Sequence, residues 1–343
     1  MTDYKKEQEA ILQTPQFNET PVMTADGWKT IGDIKVGDKV FNCNGEVDDV
    51  VEISSSVETV YLVKFDNNFS IELPETVSLP SVLKGYPKKE DFEINTVKNI
   101  LRRKEEIHGL SSYYLPKVDT FDGFNEASNK KLLIDPYVLG VWLGDGHSSC
   151  GLVTNMYENI FKEIESRGYS IGPDVSGGGT GKACTRRILT LVTDLKKYDL
   201  LGDKHVPVDF LTAGKDVLRD VICGYMDTDG YFNKTRKRYH LSTTRSKQVI
   251  FLSRMLSSYG IKSTIIKTAT VCEGKTIPSF EITFSPKENF FKSRKIDVIF
   301  PKQSKSYLLI KSFKKLGERN VTLIKTKSDK PILLGNNLLE VKI

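Results

Sequence analysis

The sequence predicts an α+β protein in which one β domain, drawn from both ends of the chain, is interrupted by a duplicated α/β domain. Three observations predict it. Short β-branched runs with turn signals fill about the first 80 residues and return after about Lys305. From about Lys131 helical patterns alternate with strand pairs. The alternating part also repeats: an apolar helix closing on Asp145-Gly146 recurs as one closing on Asp229-Gly230, 84 residues later. The expected domains are therefore 14–130 with 301–343, and 131–300, the latter made of repeats at about 131–210 and 211–300.

The N-terminal strands are placed at Val50–Ile53, Thr59–Phe65 and Phe69–Leu73, separated by Ala25-Asp26-Gly27, Asn44-Gly45 and Asp66-Asn67-Asn68. Residues 84–130 are charged and mixed, and read as a connector. Repeat one has an apolar helix over Tyr137–Gly144, a strand at Gly151–Thr154, an amphipathic helix from about Met156 to Arg167 stopped by Gly168, and a strand at Arg187–Val192. Repeat two has the helix Val221–Thr228, a strand at Tyr239–Thr243, a helix from about Ser246 to Tyr259 stopped by Gly260, and a strand at Phe280–Phe284. Strands close the chain at Tyr307–Phe313, Val321–Lys325, Ile332–Leu334 and Leu338–Val341.

Composition narrows the function classes. The 343 residues are 39% apolar and 27% charged, the pattern of a globular protein with two cores, and the net charge of +6 permits a nucleic-acid partner without requiring one. The N-terminal dozen residues have no apolar signal region and no stretch of about 18 apolar residues follows, so the expectation is an intracellular protein. Cys43, Cys150, Cys184, Cys223 and Cys272 are scattered and form no C-x-x-C pair, which leaves a zinc ribbon or a disulfide framework unsupported.

The Asp-Gly helices carry the chemistry. Each is apolar on nearly every face, as a helix buried between two halves must be. Gly140 and Gly144 lie four apart, as do Gly224 and Thr228, and small residues at that spacing let two helix backbones come close. The closing glycine is expected to supply the left-handed conformation that ends the helix. The aspartate faces the negative end of the helix dipole, and pairing the helices brings two such carboxylates together. A divalent cation between them relieves the repulsion, and such ions are what phosphodiester hydrolysis uses.

Leu139–Gly146 (LGVWLGDG) and Ile222–Gly230 (ICGYMDTDG) resemble the paired motifs of LAGLIDADG homing endonucleases of the intein-encoded type. The resemblance implies a pseudo-two-fold αββαββα domain whose sheets lie along the DNA major groove. It implies metal binding by Asp145 and Asp229, with Gly144 and Thr228 in the same metal site. Carboxylate and water ligands with no soft ligands clustered beside them make Mg²⁺ the expected ion. Leu200–Pro207 resembles the segment before the second motif in such enzymes, which gives Lys204 a catalytic role. The partner in the second half is sought in Lys292-Ser293-Arg294-Lys295, with Lys295 favoured and Lys292 next. His147 and His205 lie near these points and are read as incidental. Two basic stretches, with Lys182, Arg186 and Arg187 in one and Lys234, Arg236, Lys237 and Arg238 in the other, are placed to meet phosphates. Lys84, Lys88, Lys89, Arg102 and Arg103 in the connector form a further candidate DNA contact.

The flanks resemble a Hint domain, the splicing fold of inteins: Thr20–Trp28 and Ile31–Val40 its start, Ser328–Leu339 its last strands. The splicing groups are missing. Pro15 and Gln16 stand where a Cys or Ser nucleophile belongs, the Thr-x-x-His falls on Leu73-Pro74-Glu75-Thr76, the histidine near the last strands is Lys330, and the terminal His-Asn falls near Val341-Lys342. The expected function is thus a free-standing, monomeric, site-specific DNA endonuclease that makes a metal-dependent double-strand break in a long asymmetric target, without splicing. The alternatives are a DNA- or RNA-binding protein of maturase type that has lost cleavage, and a splicing element.

Overall fold

The computed structural model describes residues 14–83, 91–106, 113–116, 131–176, 183–272, 274–285, 288–300, 307–336 and 338–343. The chain divides into two compact units, Met1–Ala127 with Gly260–Ile266 and Lys305–Ile343, and Ser128–Tyr259 with Lys267–Ser304. It is an α+β protein, a β unit interrupted by a mixed one.

The first unit holds β1 (Pro21–Thr24), β2 (Gly27–Thr30), β3 (Lys39–Phe41), β4 (Val47–Phe65), β5 (Ser70–Pro74), β6 (Ser78–Leu83), β7 (Glu93–Thr96), α1 (Val97–Glu106) and β8 (Tyr113–Pro116). After the second unit it resumes with β16 (Tyr307–Thr326), β17 (Ile332–Leu334) and β18 (Leu339–Val341). Its sheet runs β18-β17-β1-β3-β4-β16-β8-β6-β7, with β2 paired to β1 and β5 to β4. The separate runs expected at 50–53 and 59–65, and at 307–313 and 321–325, are single strands. β4 and β16 pair antiparallel along their lengths, from Phe65 opposite Ile310 to Val50 opposite Thr326. Their middle sections are largely exposed, so nothing there imposes an apolar alternation. The core gathers Val22, Val60, Val63, Leu73, Leu79, Ile100, Leu115 and Leu334 from both ends of the chain.

The second unit shows the repeat. Repeat one runs α2 (Pro136–Asp145), β9 (Leu152–Asn155), α3 (Glu158–Ser166), β10 (Ile171–Asp174), β11 (Cys184–Ile188) and α4 (Leu191–Lys197). The strand expected to reach Val192 stops at Ile188, because Thr190 turns to φ +68° and opens α4. A short α5 (Val208–Leu211) leads into repeat two, with α6 (Lys215–Asp229), β12 (Gly230–Asn233), β13 (Arg238–Thr243), α7 (Ser246–Ser258), β14 (Ser263–Cys272, counted with the second unit from Lys267) and β15 (Lys275–Phe284). The strands form a three-stranded sheet β10-β11-β9 and a four-stranded sheet β12-β13-β15-β14. No described helix is long and apolar enough to cross a membrane.

Candidate active site

The site is built on α2 and α6. Asp135 caps α2, its side chain accepting the Tyr137 and Val138 N–H groups at 2.9 and 3.2 Å, and Pro136 occupies the first turn, where its missing N–H is harmless. Tyr137 to Leu143 are all buried. The glycines do what their spacing predicts. A Cβ on Gly140 would lie 2.1 Å from the Val221 carbonyl oxygen, and one on Gly224 2.1 Å from that of Tyr137. The two helices therefore touch backbone to backbone. A Cβ on Gly144 would lie 2.0 Å from Thr228 Oγ1, so the close approach continues to the helix ends.

The closing glycines are there for room, not for a left-handed turn. Gly146 and Gly230 are both extended, at φ −71° and −78°. A Cβ would approach the Trp142 carbonyl oxygen to 2.3 Å at Gly146 and that of Met226 to 2.4 Å at Gly230.

The helix pairing brings Asp145 and Asp229 together. The Asp145 carboxylate accepts a short hydrogen bond from Asn155. Its pKa is raised by burial, against the pull of Asn155, Lys204 and Arg294. Asp229 faces a cleft of about 600 Å³ and is exposed there. Protein surrounds it on the remaining sides, and that burial together with the charge of Asp145 pushes its pKa up to about 6. The Tyr225 hydroxyl beside it is buried without a full hydrogen-bond partner.

Lys204 is 8% exposed. Its ammonium donates to the carbonyls of Leu143, Gly144 and Gly146 at 3.1, 3.1 and 2.6 Å, and sits 4.9 Å over the Trp142 ring. Burial, then the charge of Arg245, lowers its pKa to about 8, while Asp229 and Asp145 oppose the shift. Arg245 and Gln248 line the same cleft, and Gln248 donates to the Leu143 carbonyl at 3.3 Å. Sequence reasoning missed both; they sit on and just before α7, which shows no motif. Of the four candidates in 292–295, Lys292 forms ion pairs with Glu163 and Asp220 at 3.3 and 3.8 Å, and Lys295 is exposed. The side chain that reaches the end of α6 is Arg294, whose Nη1 donates to the Gly230 carbonyl at 2.8 Å.

Among the described residues no three or more His, Cys, Asp and Glu side chains form a metal-binding group. The donors on offer are two carboxylates and backbone carbonyls. Such a hard-oxygen set suits a cation that keeps water and takes its remaining ligands from a phosphate.

Residues 216–297, from α6 through the four-stranded sheet to the Arg294 turn, match the family model of the LAGLIDADG-like domain. This chain carries a LAGLIDADG-like domain. The match covers the second repeat. Over 294 residues the chain is 24% identical to the replicative DNA helicase DnaB of Mycobacterium intracellulare, covering 80% of this chain and 47% of that protein. It is also 24% identical to a probable translation initiation factor IF-2 of Methanocaldococcus jannaschii, covering 94% of this chain and 27% of that protein. The chain thus spans less than half the length of either curated relative. Among solved structures, the Msm DnaB1 intein splicing domain bound with zinc shares 26% identity, covering 23% of this chain and 60% of that chain, with a TM-score of 0.19. Mesophilic variants of the homing endonuclease I-DmoI share 18%, covering 44% of this chain and 87% of that chain, with a TM-score of 0.31. I-DmoI has also been solved with its target DNA in the presence of manganese.

The turn between β12 and β13 of the LAGLIDADG-like domain holds Lys234, Arg236 and Lys237, all exposed, with Lys234 3.9 Å from Asp297. Arg238 is half-buried and donates to the Thr283 carbonyl at 3.4 Å. In repeat one Arg186 pairs with Glu158 at 2.8 Å and Arg187 is exposed. Arg102 and Arg103 are exposed on α1. Lys182, Lys84, Lys88 and Lys89 lie outside the described residues. His147 bonds Thr154 Oγ1 at 3.0 Å, and His205 bonds the Asp203 carbonyl at 2.8 Å.

Proposed function

We propose that the chain is a site-specific DNA endonuclease that cuts both strands of a long, asymmetric target with Mg²⁺. The observation that carries this reading is the convergence of Asp145 and Asp229 at the ends of two helices that touch backbone to backbone, where two carboxylates repel until a cation joins them. Asp145 and Asp229, with the backbone at Gly144 and Thr228, would hold the metal, and two carboxylates plus water and phosphate are the usual surroundings of Mg²⁺. When bound, the ion supplies an activated water and neutralises charge on the leaving oxygen. Lys204 holds the end of α2 in place and keeps a positive charge beside both aspartates. The two repeats differ in sequence, so each reads a different half of the target, and one chain carrying both acts as a monomer. Mobile-element homing is the biological setting that such cutting serves. The chain works inside the cell, in the nucleus if the host is eukaryotic.

Splicing is not part of this reading. Where a splicing histidine belongs, Lys330 makes an ion pair with Glu46 at 2.7 Å, which offers no base. Pro15 has no side-chain nucleophile.

The direct test is selection of cut sites from a randomised duplex library with Mg²⁺. One enriched site, cut on both strands, is expected. Specific binding without any cutting would replace the nuclease with a binding protein. Two further expectations belong here. Lys204→Ala should slow single-turnover cleavage by roughly 10²–10³-fold with little loss of DNA binding. Cleavage should rise through about pH 6 as Asp229 loses its proton and fall above about pH 8 as Lys204 loses its own. More Mg²⁺ should move the acid limb to lower pH, because metal and proton compete for Asp229. A basic limb that stays put in Lys204→Arg would contradict the lysine's part. If Arg102 and Arg103 meet phosphates, their double alanine variant should flatten the slope of log K against log salt by roughly 1.8, about 0.9 for each phosphate no longer neutralised. An unchanged slope would leave α1 out of the DNA interface.

A further inference from the structure

Besides Asp229, the cleft is lined by a second carboxylate, Glu281, which metal binding does not use. In the four-stranded sheet Tyr239 and Leu241 of β13 are buried, as are Phe280, Ile282 and Phe284 of β15. Side chains alternate along a strand, so His240, Ser242, Glu281 and Thr283 point to the other face. Ser242 lies directly opposite Glu281, and His240 opposite Thr283. Ser242 and Glu281 share the cleft with Asp229, Lys204 and Arg245. The Glu281 carboxylate is held from one side. Its Oε1 lies 2.5 Å from His240 Nδ1, and since an ionised carboxylate can only accept, the proton sits on the imidazole. His240 is 5% exposed and has the Tyr231 ring against it, centroids 5.5 Å apart. The Glu281 side chain stays 29% exposed, and no lysine or arginine among the described residues pairs with it.

Repeat one carries different chemistry at the same place. Gly146 pairs with Val153 as Gly230 pairs with Leu241, so Thr154 corresponds to Ser242. Thr185, opposite Thr154, then corresponds to Glu281. The Thr154 and Thr185 hydroxyls lie 2.8 Å apart, and His147 Nε2 is 3.0 Å from Thr154 Oγ1. A hydroxyl both donates and accepts, whereas the Glu281 carboxylate only accepts.

We propose that Glu281 is a specificity-determining residue, which accepts a hydrogen bond from the amino group of one cytosine in the target, and that His240 is the positioning residue that aims it. The proposal rests on the nuclease reading. Phosphates repel a carboxylate, so Glu281 favours only DNA that offers it a donor. In the major groove guanine and thymine present acceptors, which a carboxylate repels in turn. Adenine offers its N6 amino group beside the N7 acceptor, while cytosine offers N4 with no acceptor next to it. Cytosine is therefore the base that Glu281 selects, and repulsion of the others supplies much of the discrimination. The cleft is shared with Asp229, so this cytosine lies within roughly three base pairs of the phosphate cut there, at about 3.4 Å per step. The corresponding position in the other half meets Thr185, whose hydroxyl suits a donor or an acceptor, and is permissive.

The test reads base preference directly. A randomised duplex library is incubated with Mg²⁺ and the full chain, and the bound and the cut pools are sequenced separately for wild type and each variant. Wild type should favour cytosine at one position by roughly 5–150-fold over the other bases, the usual cost of one mismatched pair. Glu281→Gln, whose amide adds a donor to the acceptor, should move the preference at that position to adenine. Glu281→Ala and His240→Ala should each flatten it. His240→Asn keeps a donor and should restore it. Thermal melts report whether each variant folds; if His240→Ala does not, the switch in Glu281→Gln carries the test. A cytosine preference that survives both Glu281→Gln and Glu281→Ala would overturn the proposal and leave the Glu281–His240 pair a structural one. A wild-type chain that selects a bound site without cutting it overturns the nuclease reading instead, and the bound pools then judge Glu281 alone. A chain that selects no DNA overturns both.

Discussion

Asp145→Asn and Asp229→Asn are each expected to abolish double-strand cleavage, by roughly 10³-fold or more, while DNA binding stays close to wild type. Several kcal/mol of transition-state stabilisation depend on a metal ligand, and each power of ten in rate is about 1.4 kcal/mol. A second result should accompany the loss. The folded state holds Asp229 protonated up to about pH 6, against an ordinary carboxyl value of 3.8, through burial and the neighbouring charge of Asp145. Between those values the folded chain binds more protons than the unfolded one, so stability falls as pH rises through the window and the penalty is complete above it. Metal-free Asp229→Asn should therefore melt higher than wild type at pH 7.5 and equally at pH 4. Mg²⁺ should narrow the gap by stabilising wild type alone. Thermal melts at the two pH values, with and without Mg²⁺, check this beside a plasmid-cleavage assay. Full cutting by either variant would remove the aspartate from the site.

The second large effect is on the fold. Gly140→Ala or Gly224→Ala places a methyl 2.1 Å from a backbone oxygen of the facing helix, where no side chain can swing aside. Overpacking usually costs about 1–3 kcal/mol, and a clash with main chain on both sides belongs at or above the top of that range. For a unit of this size 3 kcal/mol is roughly 6–12 °C in Tm. Gly202→Ala is a useful contrast: it meets no neighbouring atom within 4 Å, though its φ of +84° is itself strained. Tm values for the three variants, measured together, show whether the fold depends on the close helix approach. An alanine at 140 or 224 that melts with wild type would mean that the helices can separate without loss.

The helix pair is legible in the sequence because two chemical signals coincide there: small residues four apart, and a carboxylate at the wrong end of a dipole. Both are local. The purpose of Gly146 and Gly230 is not legible for the converse reason, since a glycine that makes room and a glycine that takes positive φ look alike in sequence. The middle of β4 and β16 is hidden because a strand with two wet faces has no alternation to detect. Lys204 can be placed through its segment, yet nothing in that segment announces that its ammonium is held by carbonyls. Arg294 cannot be singled out from its three basic or polar neighbours in 292–295, because the choice is made by Asp227, 67 residues earlier in the chain. Gly168 and Gly260, by contrast, stop their helices as expected, with φ of +87° and +73°.

The pairing of β4 with β16 has a consequence for synthesis. Asp66, just beyond the end of β4, bonds the backbone of Leu309, 243 residues later. At roughly 5–20 residues per second, β4 waits on the order of ten seconds or more for its partner to leave the ribosome. During that interval the whole inserted unit can emerge and fold, while a 19-residue strand stands with one edge unpaired. The exposed charges of β4 at Asp49, Glu52 and Lys64 then act as gatekeepers against sticking to other nascent chains. The non-local sheet makes the β unit the slow step of folding, after the unit encoded in its middle.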